Sequence, residues 1–286
     1  MKKIILSVLC NLAYLCVACG QNIVQSNLQN SIQDSLYEQQ LKLRVKQVDE
    51  FLARFNYEID HEGKKVENRL DRERRKKQLV SLIDRSYWHK KDSLRRKNIS
   101  NFIEQVCGDS SKIWLISLYD PNFYAKATCK VKYLGKDETL LLTLKIVRDA
   151  KQNVRWVIEA AQAPFLEIVP KDSTKSISPV NHELNFMQLA QITEQDASNI
   201  ATYTDQNFRA NQLSILLYLI KNKQLKIEFV KDISFHFLQI PNYIFTVEHK
   251  ERTVGNTGWL MTEILQANLH EKELYKQKIL YIEMSK

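Results

Sequence analysis

The chain has 286 residues, is 44% hydrophobic and 26% charged, and carries a formal net charge of +9. That composition excludes a disordered chain and leaves room for two ordinary domains. Six glycines and five prolines are few for this length, which predicts long elements joined by few tight turns. The charge is uneven: residues 19–170 hold 27 basic and 20 acidic side chains, residues 171–286 hold 13 of each, and residues 64–97 alone hold 14 against 5.

Lys2 and Lys3 precede an apolar run from Ile4 to Ala18, broken only by Ser7 and Asn11. A basic start, an apolar stretch of this length and small residues at its end predict a secretory signal over residues 1–18. The run is short for a bilayer span, which needs ~20 apolar residues. Cys16 and Cys19 frame "CVAC", but a redox or zinc Cys-x-x-Cys needs a βαβ or ribbon context, and none follows. Ala18-Cys19 resembles a bacterial lipoprotein box, which implies a lipid on Cys19. The rival is ordinary cleavage after Ala18-Cys19-Gly20. Both readings export the chain. Residues 19–63 then read as a tether and a first helix. With the leader removed and Cys19 acylated, Cys107 and Cys129 remain. In an exported protein that pair permits a disulfide, the alternative being two small core residues.

Leu41, Val45, Val48, Leu52 and Phe55 step by four and three, one apolar stripe on a helix with Gly63 as its stop. A second helix is expected over about 66–86. A third runs 93–106, its face made by Leu94, Ile99, Phe102, Ile103 and Val106, with Gly108 past its end. The second helix carries "ENRLDRERRKKQ", in which Asp71–Arg75 and Glu73–Lys77 have salt-bridge spacing. "IWLISLY" (113–119) is a short buried run. "YAKATCKVKY" (124–133) alternates strictly, as a half-buried antiparallel strand does. "TLLLTLKIV" (139–147) and "VRWVIEAA" (154–161) complete a meander. Pro164, Pro170 and Pro179 fall with Ser and Thr in a linker placed at 164–180.

The same order then recurs over 181–286: helical patterns at 182–192 and 195–222, strands at 225–230, 232–239 and 243–251, "WLMTEIL" after a glycine turn, and a closing helix in "HEKELYKQKILYI". Residues 142–156 meet 245–259 without a gap, pairing Thr143 with Thr246, Asn153 with Asn256 and Trp156 with Trp259. The expectation is an α+β chain of two tandem modules, residues 64–163 and 181–286, each with helices packed on a curved antiparallel sheet. The last strand of each half enters as Asn-x-x-Trp (Asn153–Ile158, Asn256–Met261), and this layout resembles the nuclear transport factor 2-like, or cystatin-like, fold. It is also similar to exported and lipoprotein families of Gram-negative bacteria. The fold resemblance implies a cone whose interior can hold a ligand or an acid–base residue.

The chain holds no Gly-rich phosphate loop, no His-Glu-x-x-His and no Gly-x-Ser-x-Gly, and its six histidines lack metal-ligand spacing. No cofactor or metal is therefore expected. His236 in "ISFHFLQI" is the best acid–base candidate. It shares a strand face with Ser234 and Leu238, with Asp232 or Glu248 to orient it and Tyr133 at the mouth of the first cone. A hydrogen-bonded strand histidine is the plain alternative. Trp156 and Trp259 read as core plugs. The basic residues Arg72, Arg74, Arg75, Lys76, Lys77, Arg95 and Arg96 form a candidate contact surface. No aromatics interleave there to stack on bases, so the partner expected is a protein, a glycan or an anionic membrane surface, and not nucleic acid. The leading expectation is an exported, lipid-anchored, non-enzymatic binding or scaffold protein of the cell envelope, in the outer membrane or periplasm. An isomerase- or dehydratase-type enzyme or carrier using His236 is the alternative, and a part of a secretion or conjugation assembly a third reading.

Overall fold

The computed structural model describes residues 48–88, 92–108, 113–149, 153–168, 210–253 and 255–283, with a few isolated positions between them. The expected signal, Cys19, most of the linker expected at 164–180, the helix expected over 182–192 and, but for isolated positions, the part of the expected 195–222 helix before residue 210 lie outside the described residues. The class is α+β. Five helices and six strands are described: α1 (Val48–Phe55), α2 (Arg72–Ser81), α3 (Ser93–Cys107), β1 (Phe123–Tyr133), β2 (Lys136–Arg148), β3 (Val154–Gln162), α4 (Gln212–Lys221), β4 (Leu225–Phe237), β5 (Tyr243–Lys250), β6 (Gly258–Gln266) and α5 (Leu269–Lys278). The strands form an open antiparallel sheet in the order β3-β2-β1-β4-β5-β6. The two strands expected at 225–230 and 232–239 are one, β4.

The chain divides into two compact units that are not sequential halves. The first comprises Met1–Leu115, Phe229–Asp232 and Val247–Thr262; the second Ile116–Glu228, Ile233–Thr246 and Glu263–Lys286.

In the first unit, α1 buries Val48, Phe51, Leu52 and Phe55, and Phe55 meets Phe102 of α3 at 6.5 Å between ring centroids. Gly63 does not stop this helix. Tyr57 does, because it adopts a left-handed backbone (φ 55), where helical hydrogen bonding cannot continue. Gly63 (φ 79) instead turns a small hairpin bridged at Ile59 and Lys65. Asp60 closes that turn by accepting from the Glu62 and Lys64 amides. α2 starts later and ends earlier than its pattern predicts, capped by Asp71, whose side chain accepts from the Arg74 amide. α3 is capped by Asp92 and ends at Gly108. Its Ile99, Phe102, Ile103 and Val106 are buried, but Leu94 is 77% exposed.

The second unit holds the β1–β2–β3 meander. In β1, Ala125, Ala127, Cys129 and Val131 are buried and the intervening Lys and Thr residues are not, as the period-two pattern requires. Leu134 and Gly135 both take positive φ, the two-residue turn that matches strand twist, with Tyr133 opposite Lys136. A bulge on β3 leaves Glu159 unpaired opposite the Thr143–Leu144 step of β2. "IWLISLY" forms no strand: Ile116 is buried, while Leu115 and Tyr119 are exposed. The proline-rich stretch opens with a one-turn 3₁₀ helix at Pro164–Leu166, and Leu166 is buried. α5 carries a complete capping box between Asn268 and Glu271. It also sends the buried Lys272 ammonium to the carbonyls of Leu238 and Ile240, both at 2.6 Å. Cys107, in the first unit, and Cys129, in the second, are both free, buried thiols. Burial pushes the Cys129 thiol up to about 11 and also raises Cys107.

Candidate functional site

The sequence points first to His236. Its ring is 4% exposed, and both nitrogens are engaged inside the second unit. Nε2 lies 2.9 Å from Ser234 Oγ, and Nδ1 lies 2.8 Å from the Tyr275 hydroxyl on α5. Thr246 Oγ1 joins them, 3.4 Å from Nδ1 and 3.3 Å from the Tyr275 oxygen. Burial, helped by the nearby Lys126 ammonium, pulls the imidazole down to about 3. A neutral ring at pH 7 with both nitrogens occupied is a weak proton acceptor. Ser234 does share its strand face, as the alternation predicts. Asp232 is exposed on β4 and Glu248 pairs with Lys250; both belong to the first unit. Tyr133 stacks on Phe165 at 4.7 Å.

The basic segment is largely neutralised within the chain. Arg72 and Lys76 both reach Glu104, at 2.6 and 2.7 Å. Arg74 pairs with Asp71 at 3.3 Å and Arg95 with Asp92 at 3.4 Å. Arg75 is no surface residue. It is 1% exposed, and its guanidinium donates to the Trp114 carbonyl at 2.7 Å. The salt bridges on α2 therefore run i,i+3, since Asp71 is spent as the cap and Arg75 points inward. Besides the buried Arg75, Lys77 and Arg96 are the members of the seven with no acidic partner among the described residues.

Lys77 stands at a feature that periodicity could not reveal. In the first unit, α1, the end of α2, the connector 82–88 and the turn into β6 enclose a groove of ≈ 840 Å³. Phe51, Leu82, Ile83, Trp259 and Leu260 supply its buried apolar wall; Arg54, Lys77, Arg85 and Glu50 supply its charges. Asn256 holds the connector in place. Its amide donates to the carbonyls of Ile83 (2.6 Å) and Ser81 (3.2 Å), and its oxygen accepts from the Arg85 amide (3.2 Å). One residue pair further, the connector runs parallel to β6 through a bridge of Ile83 with Met261. Asp84 then locks to Arg252 by two hydrogen bonds. Burial alone would raise the Asp84 carboxyl, but donation from Arg252 and from the Ser86 amide and hydroxyl outweighs it and holds the group at about 2.

The two Asn-x-x-Trp stretches thus differ in use. Trp259 is 6% exposed, edge-on to His249 at 5.4 Å, and walls the groove. Trp156 is no core plug: it is 44% exposed, resting on Phe123 at 5.7 Å. Asn153 closes its own turn on Asp149. A second, more polar depression of ≈ 750 Å³ in the same unit includes Tyr57, His61, Arg74 and Gln78, and shares Lys77 and Ser81 with the groove. Among the described residues no group of three or more His, Cys, Asp or Glu is placed to hold a metal, and no helix is long and apolar enough to cross a membrane. No family model, curated protein or solved structure matches the chain.

Proposed function

We propose that the chain is an exported, non-enzymatic binding protein of the cell envelope, lipid-anchored through Cys19, and that its ligand sits in the groove of the first unit. The observation that carries this reading is the groove itself: a buried apolar wall with cations at its rim, Lys77 and Arg85, that have no carboxylate partner among the described residues, the usual make-up of a binding cleft. The signal-like leader and the lipoprotein-like Ala18-Cys19 support the address. The reading with His236 as a general base has less support, because that ring is neutral and fully hydrogen-bonded.

The finer fold reading is part of the same proposal: each half is nuclear transport factor 2-like, and the two are tandem copies. Thr143 and Thr246 support it. Each lies on the second strand of its meander and is buried, and each bonds toward the C-terminal segment, Thr143 to the Leu280 carbonyl at 2.7 Å and Thr246 to Tyr275.

Two variants test the function. Cys19→Ala should shift the exported chain from the membrane pellet to the soluble envelope fraction. Val80→Trp, which fills the groove from α2, should abolish ligand binding with unfolding behaviour unchanged. Membrane retention of Cys19→Ala, or full binding by Val80→Trp, would refute the corresponding half of the proposal.

A further inference from the structure

We infer that the groove takes an anionic amphiphile of small-molecule size: one apolar chain or ring bearing a single carboxylate, sulfonate or phosphate. This rests on the groove being the binding site, and it adds the chemistry of the ligand. The volume of ≈ 840 Å³ falls within the roughly 300–1,000 Å³ typical of pockets for single small molecules. The charges around it are three cations to one carboxylate. Arg54 spends part of its charge on Glu50 at 3.6 Å, yet its buried Nε has no hydrogen-bond partner. Lys77 and Arg85 are exposed and have no carboxylate partner among the described residues. The other acid of this region, Asp84, is consumed by Arg252.

A bare inorganic anion would meet the rim but leave Phe51, Leu82 and Trp259 unused. A neutral hydrocarbon would use the wall but gain nothing from Lys77 and Arg85. A ligand with both parts gains apolar burial at about 25 cal/mol per Å² and charge-assisted hydrogen bonds at the rim. Because the two rim cations face water, the electrostatic share must weaken as salt is added.

The test is calorimetric titration of the processed chain with dodecanoate, dodecanol, inorganic phosphate and phosphatidylglycerol vesicles. Dodecanoate should bind at one site, at least ten-fold more tightly than dodecanol, with phosphate not binding. Lys77→Glu combined with Arg85→Glu should weaken dodecanoate at least ten-fold and leave dodecanol unchanged. Equal affinity for dodecanoate and dodecanol, both abolished by Val80→Trp, would overturn the anionic chemistry and leave the groove standing as the site. Dodecanoate binding indifferent to Val80→Trp, or absent altogether, would overturn both. Capture by the vesicles without dodecanoate binding would overturn the small-molecule source in favour of a bilayer surface.

Discussion

Asp84 and Arg252, far apart in the chain, meet through two parallel hydrogen bonds, Nη1 to Oδ1 at 2.6 Å and Nη2 to Oδ2 at 2.7 Å. The Asp84 side chain is almost wholly buried, while part of the guanidinium reaches solvent. Removing one partner of such a pair strands a buried charge, at a cost of about 3 kcal/mol. Urea unfolding of Arg252→Met should show that loss. Adding Asp84→Asn to Arg252→Met should recover part of it, because the stranded carboxylate is gone. Strictly additive losses would mean that the two groups do not act as a pair.

Asn256 carries three hydrogen bonds to the connector that forms one wall of the groove. Asn256→Ala should therefore destabilise the chain by about 2 kcal/mol. It should also weaken dodecanoate binding, although the side chain removed is not part of the apolar wall. Retained affinity in a chain destabilised as expected would separate the connector from binding.

Two groups titrate in different windows. His236 has a folded value of about 3 against an ordinary 6.5, so the unfolded chain binds a proton that the folded chain refuses. Its contribution is fully present above pH 6.5 and is lost as pH falls toward 3, by up to about 1.4 kcal/mol per pH unit. Asp84, held at about 2 against 3.8, contributes fully above about pH 4 and loses its share only as pH falls toward 2. Unfolding free energy measured from pH 7 to pH 4 should decline in the wild type and decline less in His236→Gln. The same slope in both would place the titration elsewhere.

The Cys107 and Cys129 thiols are buried, and burial raises both. Iodoacetamide at pH 8 should leave Cys107 and Cys129 unmodified in the folded chain and alkylate both after denaturation. A reducing agent should not shift the thermal midpoint. Rapid native alkylation, or a midpoint lowered by reduction, would contradict the packing described.

What was legible beforehand was whatever depends on local period. β1 was, because Ala125, Ala127, Cys129 and Val131 alternate with Lys and Thr without a break. α3 was, because Ile99, Phe102, Ile103 and Val106 keep helical spacing and Gly108 marks its end. The stop of α1 was not legible: nothing in its local pattern marks Tyr57 for a left-handed backbone, whereas Gly63 looked suited to one. Arg75 could have been placed inside, since it continues the stripe of Leu79 and Leu82 at helical spacing, but its charge argued for the surface. The groove was out of reach, because it joins residues 50–88 to 256–260 and such pairings leave no periodic trace. Trp156 and Trp259 show the same limit: they align in sequence and share a motif, but their exposure depends on what packs over each strand.

The most direct test is native mass spectrometry of the chain purified from the envelope of its own cells. The account predicts a polypeptide that begins at an acylated Cys19, with an anionic amphiphile bound that is absent from the Lys77→Glu, Arg85→Glu variant. An unprocessed chain still beginning at Met1 and recovered from the cytosol with nothing bound would contradict it.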